Sequence, residues 1–309
     1  LGTSVVFVHS KKGADLIQNI KTLKKQDFPL DKAIAGNCHL MKPLCHSSHD
    51  RDAFYAILNE SLDACIKKYL PHFGVEQLSV KEKLKNLVRF FLNVKRVSGW
   101  SLGTWLKNFR YNFFCEQVKG NVLEGKYFII NKYCTIVLES KAQLILNAPF
   151  YFGNKRIKGS RLDSRLLIES GGRMEIKYGS YNVAYGADIE VFQNAILEIG
   201  GELGANIGLT IICADHISIG QHTGCGRNVT IRDNNGEHFI SIRGYKTSSP
   251  VTIKEHVWLT ESCTVMPGAV IEPGAIISAR SVVSGHIPAF SIVKGDPAVV
   301  VEKNIVWKG

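Results

Sequence analysis

One histidine of this chain stands among polar neighbours that suit proton transfer. His238 closes the run Arg232-Asp233-Asn234-Asn235-Gly236-Glu237-His238, so carboxylates and carboxamides share a short stretch with an imidazole. Imidazole titrates at about pH 6.5 in model peptides and can accept a proton at neutral pH. A nearby carboxylate can hold it in the productive tautomer; Asp233 is the first choice and Glu237 the second. The remaining histidines of this half read as structural. His216, His222 and His256 fall at turns of a repeat, and His286, before Ile287-Pro288, ends its last coil.

The elements that must hold this loop follow a six-residue period. Ile253, Leu259, Val265, Ile271, Ile277 and Val283 are spaced six apart without a slip. Four positions after the first five of these come Val257, Cys263, Ala269, Ala275 and Ser281, all small or β-branched. The ladder runs earlier as Ile207, Cys213, Ile219, Cys225 and Ile231, with Ile211, Ile217, Thr223 and Val229 at the second position. Six does not fit the 3.6-residue turn of a helix, but it suits short strands and corners repeating around a triangular coil. The pattern therefore predicts a mainly β fold, a parallel β-helix of hexapeptide type, from about Asn131 onward. Ile231 and Ile253 lie twenty-two residues apart, which is no multiple of six, so a loop from Arg232 to Pro250 must interrupt the coil. Loops extruded from a rigid scaffold often carry binding and catalytic groups.

Upstream the texture changes. Residues 1–72 read as the tail of an α/β domain, with a strand at Val5-Val6-Phe7-Val8 and helical spacing in Leu16, Ile17, Ile20, Leu23 and again from Phe54 to Tyr69. Position 1 is Leu rather than Met, and the chain is expected to continue upstream. Residues 73–120 read as a basic, aromatic helical linker, and residues 121–309 as the β-helix. In the linker Leu84, Leu87, Val88 and Phe91 form one helical stripe beside Lys81, Lys85 and Arg89. From Lys81 to Arg110 eight residues are basic and only Glu82 is acidic. This is the pattern of a helix packed on a neighbour with a solvated basic face; the alternative is a membrane-surface helix, which pairs Lys and Arg with aromatics. No nucleic-acid-binding motif accompanies the charge.

Composition narrows the class. Lys and Arg total 38 against 27 Asp and Glu, for a formal charge of +11, yet 45% of residues are hydrophobic, so the chain is globular rather than disordered. No apolar run reaches the roughly 18 residues that span a bilayer. The cysteines include no Cys-x-x-Cys pair and read as reduced and structural, in a cytoplasmic protein. Cys38 and Cys45 near His39, His46 and His49 fit no standard zinc spacing, and no metal is expected.

Two resemblances add to this reading. Gly2-Thr3-Ser4-Val5-Val6-Phe7-Val8, Lys12-Gly13, Asn37, Lys42-Pro43, Arg51 and Phe54 resemble the C-terminal end of proteins related to the coenzyme F420 hydrogenase beta subunit. More specifically, Ile231-Arg232-Asp233-Asn234-Asn235-Gly236-Glu237-His238, Gly244-Tyr245-Lys246, Pro250-Val251-Thr252-Ile253, His256-Val257-Trp258-Leu259, Ser281-Val282-Val283 and Gly295-Asp296-Pro297-Ala298 are similar to the hexapeptide-repeat O-acetyltransferases of surface-polysaccharide clusters. This resemblance covers roughly residues 110–309 and implies a left-handed β-helix that trimerises, with sites between adjacent subunits.

It also implies acetyl-CoA as co-substrate and His238 as the base that removes a proton from an acceptor hydroxyl, on a sugar or a lipid-linked sugar. Asn235, Glu237, Tyr245 and Lys246 are the expected acceptor contacts. Trp258, Thr260, Ser278, Ala279, Arg280, Lys294 and Gly295 are the expected acetyl-CoA contacts. The family often has Gly where this chain has Thr260, Ser278 and Arg280, and Lys where it has Val299. Two alternatives stay open: N-acetylation of an amino sugar, and a silent β-helix that trimerises an upstream module. The expected location is the cytoplasm, with the inner face of the membrane as the place the basic helix would take the enzyme.

Overall fold

A computed structural model describes residues 78–308, apart from 156, 158, 203, 237–240 and 242. The elements, F420-related resemblance and Cys/His cluster read in residues 1–77 lie outside the described residues. The unit that begins at Leu78 opens with two helices, α1 (Val80–Ser98) and α2 (Leu102–Phe113), inside the stretch read as a linker. Ser79 starts α1 by a reciprocal cap: its Oγ accepts from the Glu82 amide at 3.2 Å, and the Glu82 carboxylate accepts from the Ser79 amide at 2.9 Å. The α1 face that packs inward carries Phe90 and Val94, with Leu87 and Val97 partly covered, against Val122, Tyr127 and Ile129. The stripe Leu84, Val88 and Phe91 points outward instead, one position round the helix from the expected face.

After α2 the chain winds into three flat sides. Successive strands visit one sheet after another, giving sheets of eight, nine and seven described strands. Neighbouring strands are parallel throughout, except where Ala298–Lys303 turns back antiparallel on Ser291–Gly295. This is a three-sided parallel β-helix, and it begins at Val118–Lys119, paired with Leu144 and Ile145.

The six-residue ladder is its inward face. Ile253, Leu259, Val265, Ile271, Ile277 and Val283 are all buried, as are Val257, Cys263, Ala269, Ala275 and Ser281. Ile207 departs from the earlier ladder: it is half-buried at a turn, while Ala205 and Leu209 on either side point inward. Coils of eighteen residues, three sides of six, occur where Thr252 pairs with Val270, Trp258 with Ile276 and Thr264 with Val282. Nearer the N-terminus Phe128 pairs with Phe150 and Asp188 with Thr210, steps of twenty-two. Those wider coils enclose larger side chains: Phe128 stacks on Phe150 at 5.0 Å, and Phe150 on Tyr181 at 6.2 Å. Core volume and coil length thus rise together.

Corners repeat as strictly as strands. His222, His256, Gly274 and Phe290 stack at one corner with positive φ, and Asn228, Ser262 and Arg280 at another. Each donates its amide to a carbonyl of the coil before it, as His256 does to Gln221 at 2.9 Å and Arg280 to Glu261 at 3.0 Å. Those bonds help offset the cost of about 1–2 kcal/mol of left-handed backbone at a non-glycine residue.

Candidate active site

The longest excursion among the described coils leaves from the sheet that holds Thr230–Arg232 and returns at Val251–Ile253. Across it Thr230 pairs with Thr264 and Gly224 with Trp258, steps of thirty-four residues where the next coil takes eighteen. Its neck is a short antiparallel ribbon. Asn234 bridges Ser248, the Asn235 amide donates to the Thr247 carbonyl at 3.0 Å, and the Ser249 amide donates to the Asp233 carbonyl at 2.7 Å.

Asp233 fastens this neck to the prism. Its side chain is fully buried, and its two carboxylate oxygens accept from the backbone amides of Ala214 at 2.7 Å and Asp215 at 2.8 Å, one coil earlier. Burial and then the Asp233 charge push the Cys213 thiol up, so Cys213 stays a neutral neighbour. Asn234, also buried, donates to the Ile212 carbonyl at 3.0 Å and accepts from the Gly236 amide at 3.0 Å. Glu237 and His238 lie outside the described residues. Asn235 and Lys246 are exposed on the excursion, and Tyr245 is half-buried.

The other histidines of the described part are tied on the surface. His216 meets Glu198 at 3.2 Å, His222 meets Glu202 at 2.7 Å, and His286 meets Glu272 at 3.3 Å. His256 donates from Nε2 to the Trp307 carbonyl at 3.0 Å, since a carbonyl can only accept. Among the described residues no cluster of His, Cys, Asp and Glu could hold a metal ion.

Along the same coils, on the sheet that carries Gly224, Trp258 and Ile276, runs an open groove of about 770 Å³. Four of the expected acetyl-CoA contacts, Trp258, Thr260, Ser278 and Ala279, line it together. Gly224, Trp258, Ile276 and Ile292 succeed one another along its sheet, so its floor is apolar. Thr260 is pinned there, its hydroxyl donating to the Ile277 carbonyl at 2.6 Å. Arg280, Lys294 and Gly295 are exposed and outside this lining. Arg280 holds the corner next to Ala279, and the Gly295 amide donates to Ser281 Oγ at 3.1 Å.

Three residues escaped the sequence reading. Arg227 and Glu261 add opposite charges to the groove wall. Trp307, in the C-terminal tail, stacks on the His256 ring at 4.0 Å, lies 5.8 Å from the Trp258 ring and donates to the Gly274 carbonyl at 3.2 Å. Tail position gives no periodic signal; the only clue was a tryptophan beyond the last coil.

No protein-family model matches the chain. It is 28% identical over 140 residues to a putative lipopolysaccharide biosynthesis O-acetyl transferase, WbbJ, of Escherichia coli K12, covering 41% of this chain and 71% of that protein. It is 33% identical over 111 residues to the galactoside O-acetyltransferase of Lactococcus lactis, covering 35% of this chain and 53% of that protein. Among solved structures it resembles the polysialic-acid-specific acetyltransferase NeuO, with a TM-score of 0.39 and 18% identity over 62% of this chain and 82% of that one. The chain is thus similar in sequence to O-acetyltransferases over part of its length.

Proposed function

We propose that this chain is an acetyltransferase of the hexapeptide-repeat type, which moves the acetyl group of acetyl-CoA to a hydroxyl of a surface-polysaccharide sugar or its lipid-linked precursor. The observation that carries the reading is the shared height of two features: the long excursion with His238 and the groove floored by Trp258 belong to the same coils. The relatives named above, O-acetyltransferases in their own right, support the reaction class.

In this reading the prism is left-handed and trimeric, and the excursion of one subunit faces the groove of the next. The pantetheine arm lies on the apolar stripe of Trp258, Ile276 and Ile292, with backbone groups of the coil edges meeting its amides. Arg280, Lys294 and Arg227 are the cations available to the phosphates. His238 takes the proton of the acceptor hydroxyl as its oxygen attacks the thioester carbonyl. The tetrahedral intermediate collapses to the ester, and the thiolate of CoA leaves and recovers the proton from the imidazolium. Asp233 is a positioning residue: it holds the excursion that carries His238.

Labelled acetyl-CoA incubated with nucleotide sugars and polysaccharide fragments tests this. A positioned general base supplies about 10²–10⁴-fold, and His238→Ala is expected to lose that much in kcat while still binding acetyl-CoA. Transfer undiminished in that variant removes His238 from the role. The side chains at Thr260, Ser278 and Arg280, where relatives often have Gly, favour a second reading, a silent trimerising scaffold. Failure of the chain to bind acetyl-CoA would select it.

A further inference from the structure

The helical pair has two apolar faces, and the prism uses only one. On α1 the packed face is Phe90 and Val94, yet Val80, Leu84, Val88 and Leu92 follow at steps of four along the opposite side, with Val80 83% and Leu84 59% exposed. On α2 Leu102 and Phe109 are likewise exposed on the side away from the buried Thr104 and Asn108, while Phe113 packs on Phe90 and Leu106 borders a crevice with Cys134 and Ile136. Phe91 stacks on Trp105 at 6.3 Å and Phe90 meets Phe113 at 5.7 Å, so the two helices lie against each other. At the bend between them Trp100 is 97% exposed. A helix that merely solvated a basic face would have no reason to place aliphatic residues down its middle.

Charge tells what fits. Lys81, Lys85 and Arg89 run one position from Val80, Leu84 and Val88, and Arg96 continues the row past Leu92. Arg110 follows Phe109 on α2, and all of these cations are exposed. Glu82 is the lone acid between Lys81 and Arg110, and it is engaged in the α1 cap. No helix of the described residues is long and apolar enough to cross a membrane. An amphipathic helix with Lys and Arg beside Leu, Phe and Trp instead lies along the headgroup boundary, apolar stripe down and cations on anionic lipid. Tryptophan is favoured at that boundary because its ring is apolar and its N–H is polar.

We propose that α1 and α2 together form a docking face for an anionic membrane surface, with Leu84, Leu92 and Trp100 entering the acyl boundary and Lys81, Lys85 and Arg89 meeting lipid phosphates. The face stands whether or not the chain transfers acetyl groups.

Flotation of the full chain with vesicles tests it. The chain should float with phosphatidylcholine vesicles containing phosphatidylglycerol and stay behind with phosphatidylcholine alone. Cations near an anionic surface each strengthen adsorption, so Lys81→Glu/Lys85→Glu/Arg89→Glu should lower the bound fraction at anionic vesicles by at least about tenfold. Leu84→Ser/Leu92→Ser/Trp100→Ser should lower it comparably, with far-UV circular dichroism unchanged because these side chains are exposed. Trp100→Phe should remove a blue shift of tryptophan emission on binding. Equal binding to both vesicle types overturns the proposal. So does loss of binding only in the charge variant, which would mean adsorption without insertion. A chain that ignores vesicles but forms larger assemblies dissolved by the serine variant would assign the face to a second copy.

Discussion

Asp233 is a fully buried carboxyl side chain, and the two backbone amides it accepts from explain how it is tolerated. Hydrogen bonds to a charged group are worth about 1.5–3 kcal/mol each, and a buried donor left without its partner costs further. Asp233→Ala is therefore expected to lose about 3–6 kcal/mol in thermal unfolding. Asp233→Asn, which keeps one acceptor oxygen, should lose about half of that. If the excursion is what Asp233 places, kcat falls in both variants while the KM for acetyl-CoA holds; an unchanged melting temperature in Asp233→Ala would end the anchoring role. Residue identity was legible here and the partner was not, because spacing cannot say which amides lie one coil below. The core thiols give a second expectation. Burial pushes Cys225 and Cys263 up to about 12, above the ordinary thiol value of about 8.5. A thiol raised on folding contributes stability that is complete below its unfolded value and lost as pH climbs through its folded one. Stability should thus decline on the alkaline side, between about 8.5 and 12. At mildly alkaline pH iodoacetamide should leave both unmodified until the chain is unfolded, as read by mass spectrometry.

Among the elements, the strict coils were legible and the loose ones were not. From Ile253 to Val283 each side of the prism is six residues, and the inward positions could be read directly because every second-position residue had to be small enough to share a narrow cross-section. Before about Leu209 the strands run to four or five residues and the coils vary from twenty-two to thirty-one, so alternation replaces the six-residue beat and Ile207 is misplaced by the simpler rule. On α1 the outward row of Leu84, Val88 and Phe91 looked like the packing face because sequence shows two apolar stripes without ranking them. The close approach of coils gives a sharper test at Gly226, in the groove wall. A Cβ built there would come within 2.8 Å of the Glu261 nitrogen and of the Thr260 carbonyl carbon, both backbone atoms of the next coil. Overpacking of this kind costs about 1–3 kcal/mol, so Gly226→Ala should melt earlier. It should also bind acetyl-CoA more weakly in calorimetry, since Thr260 must shift. Intact stability and binding together would show that the coils yield more than the spacing allows.

A stack of parallel coils has two open ends, and each exposes a row of unpaired strand groups that would recruit another chain. At the C-terminal end Ala298–Lys303 turns back on Ser291–Gly295 and covers the last edge of that sheet. At the other end a helix substitutes for a strand. Asn108 and Asn112, four apart on α2, present their carboxamides to Phe128–Ile130 as a neighbouring strand would present peptide groups. Asn108 accepts from the Ile130 amide at 2.8 Å and donates to the Ile130 carbonyl at 2.8 Å. Asn112 accepts from the Phe128 amide at 2.8 Å and donates to the Phe128 carbonyl at 2.7 Å. Asparagine has the donor and acceptor this needs in one planar group, which Asp and Leu lack. Asn108→Ala/Asn112→Ala removes the four hydrogen bonds to this strand and leaves the groups of Phe128 and Ile130 facing a helix that cannot satisfy them. At about 0.5–1.5 kcal/mol per bond the double variant should lose about 2–6 kcal/mol in unfolding. Amide exchange at Phe128 and Ile130 should quicken well before exchange in the later coils, because a solenoid opens from its ends. Light scattering should then show association through the bared edge. Exchange that quickens equally along all coils would mean that the helical cap adds stability to the whole prism without guarding this edge.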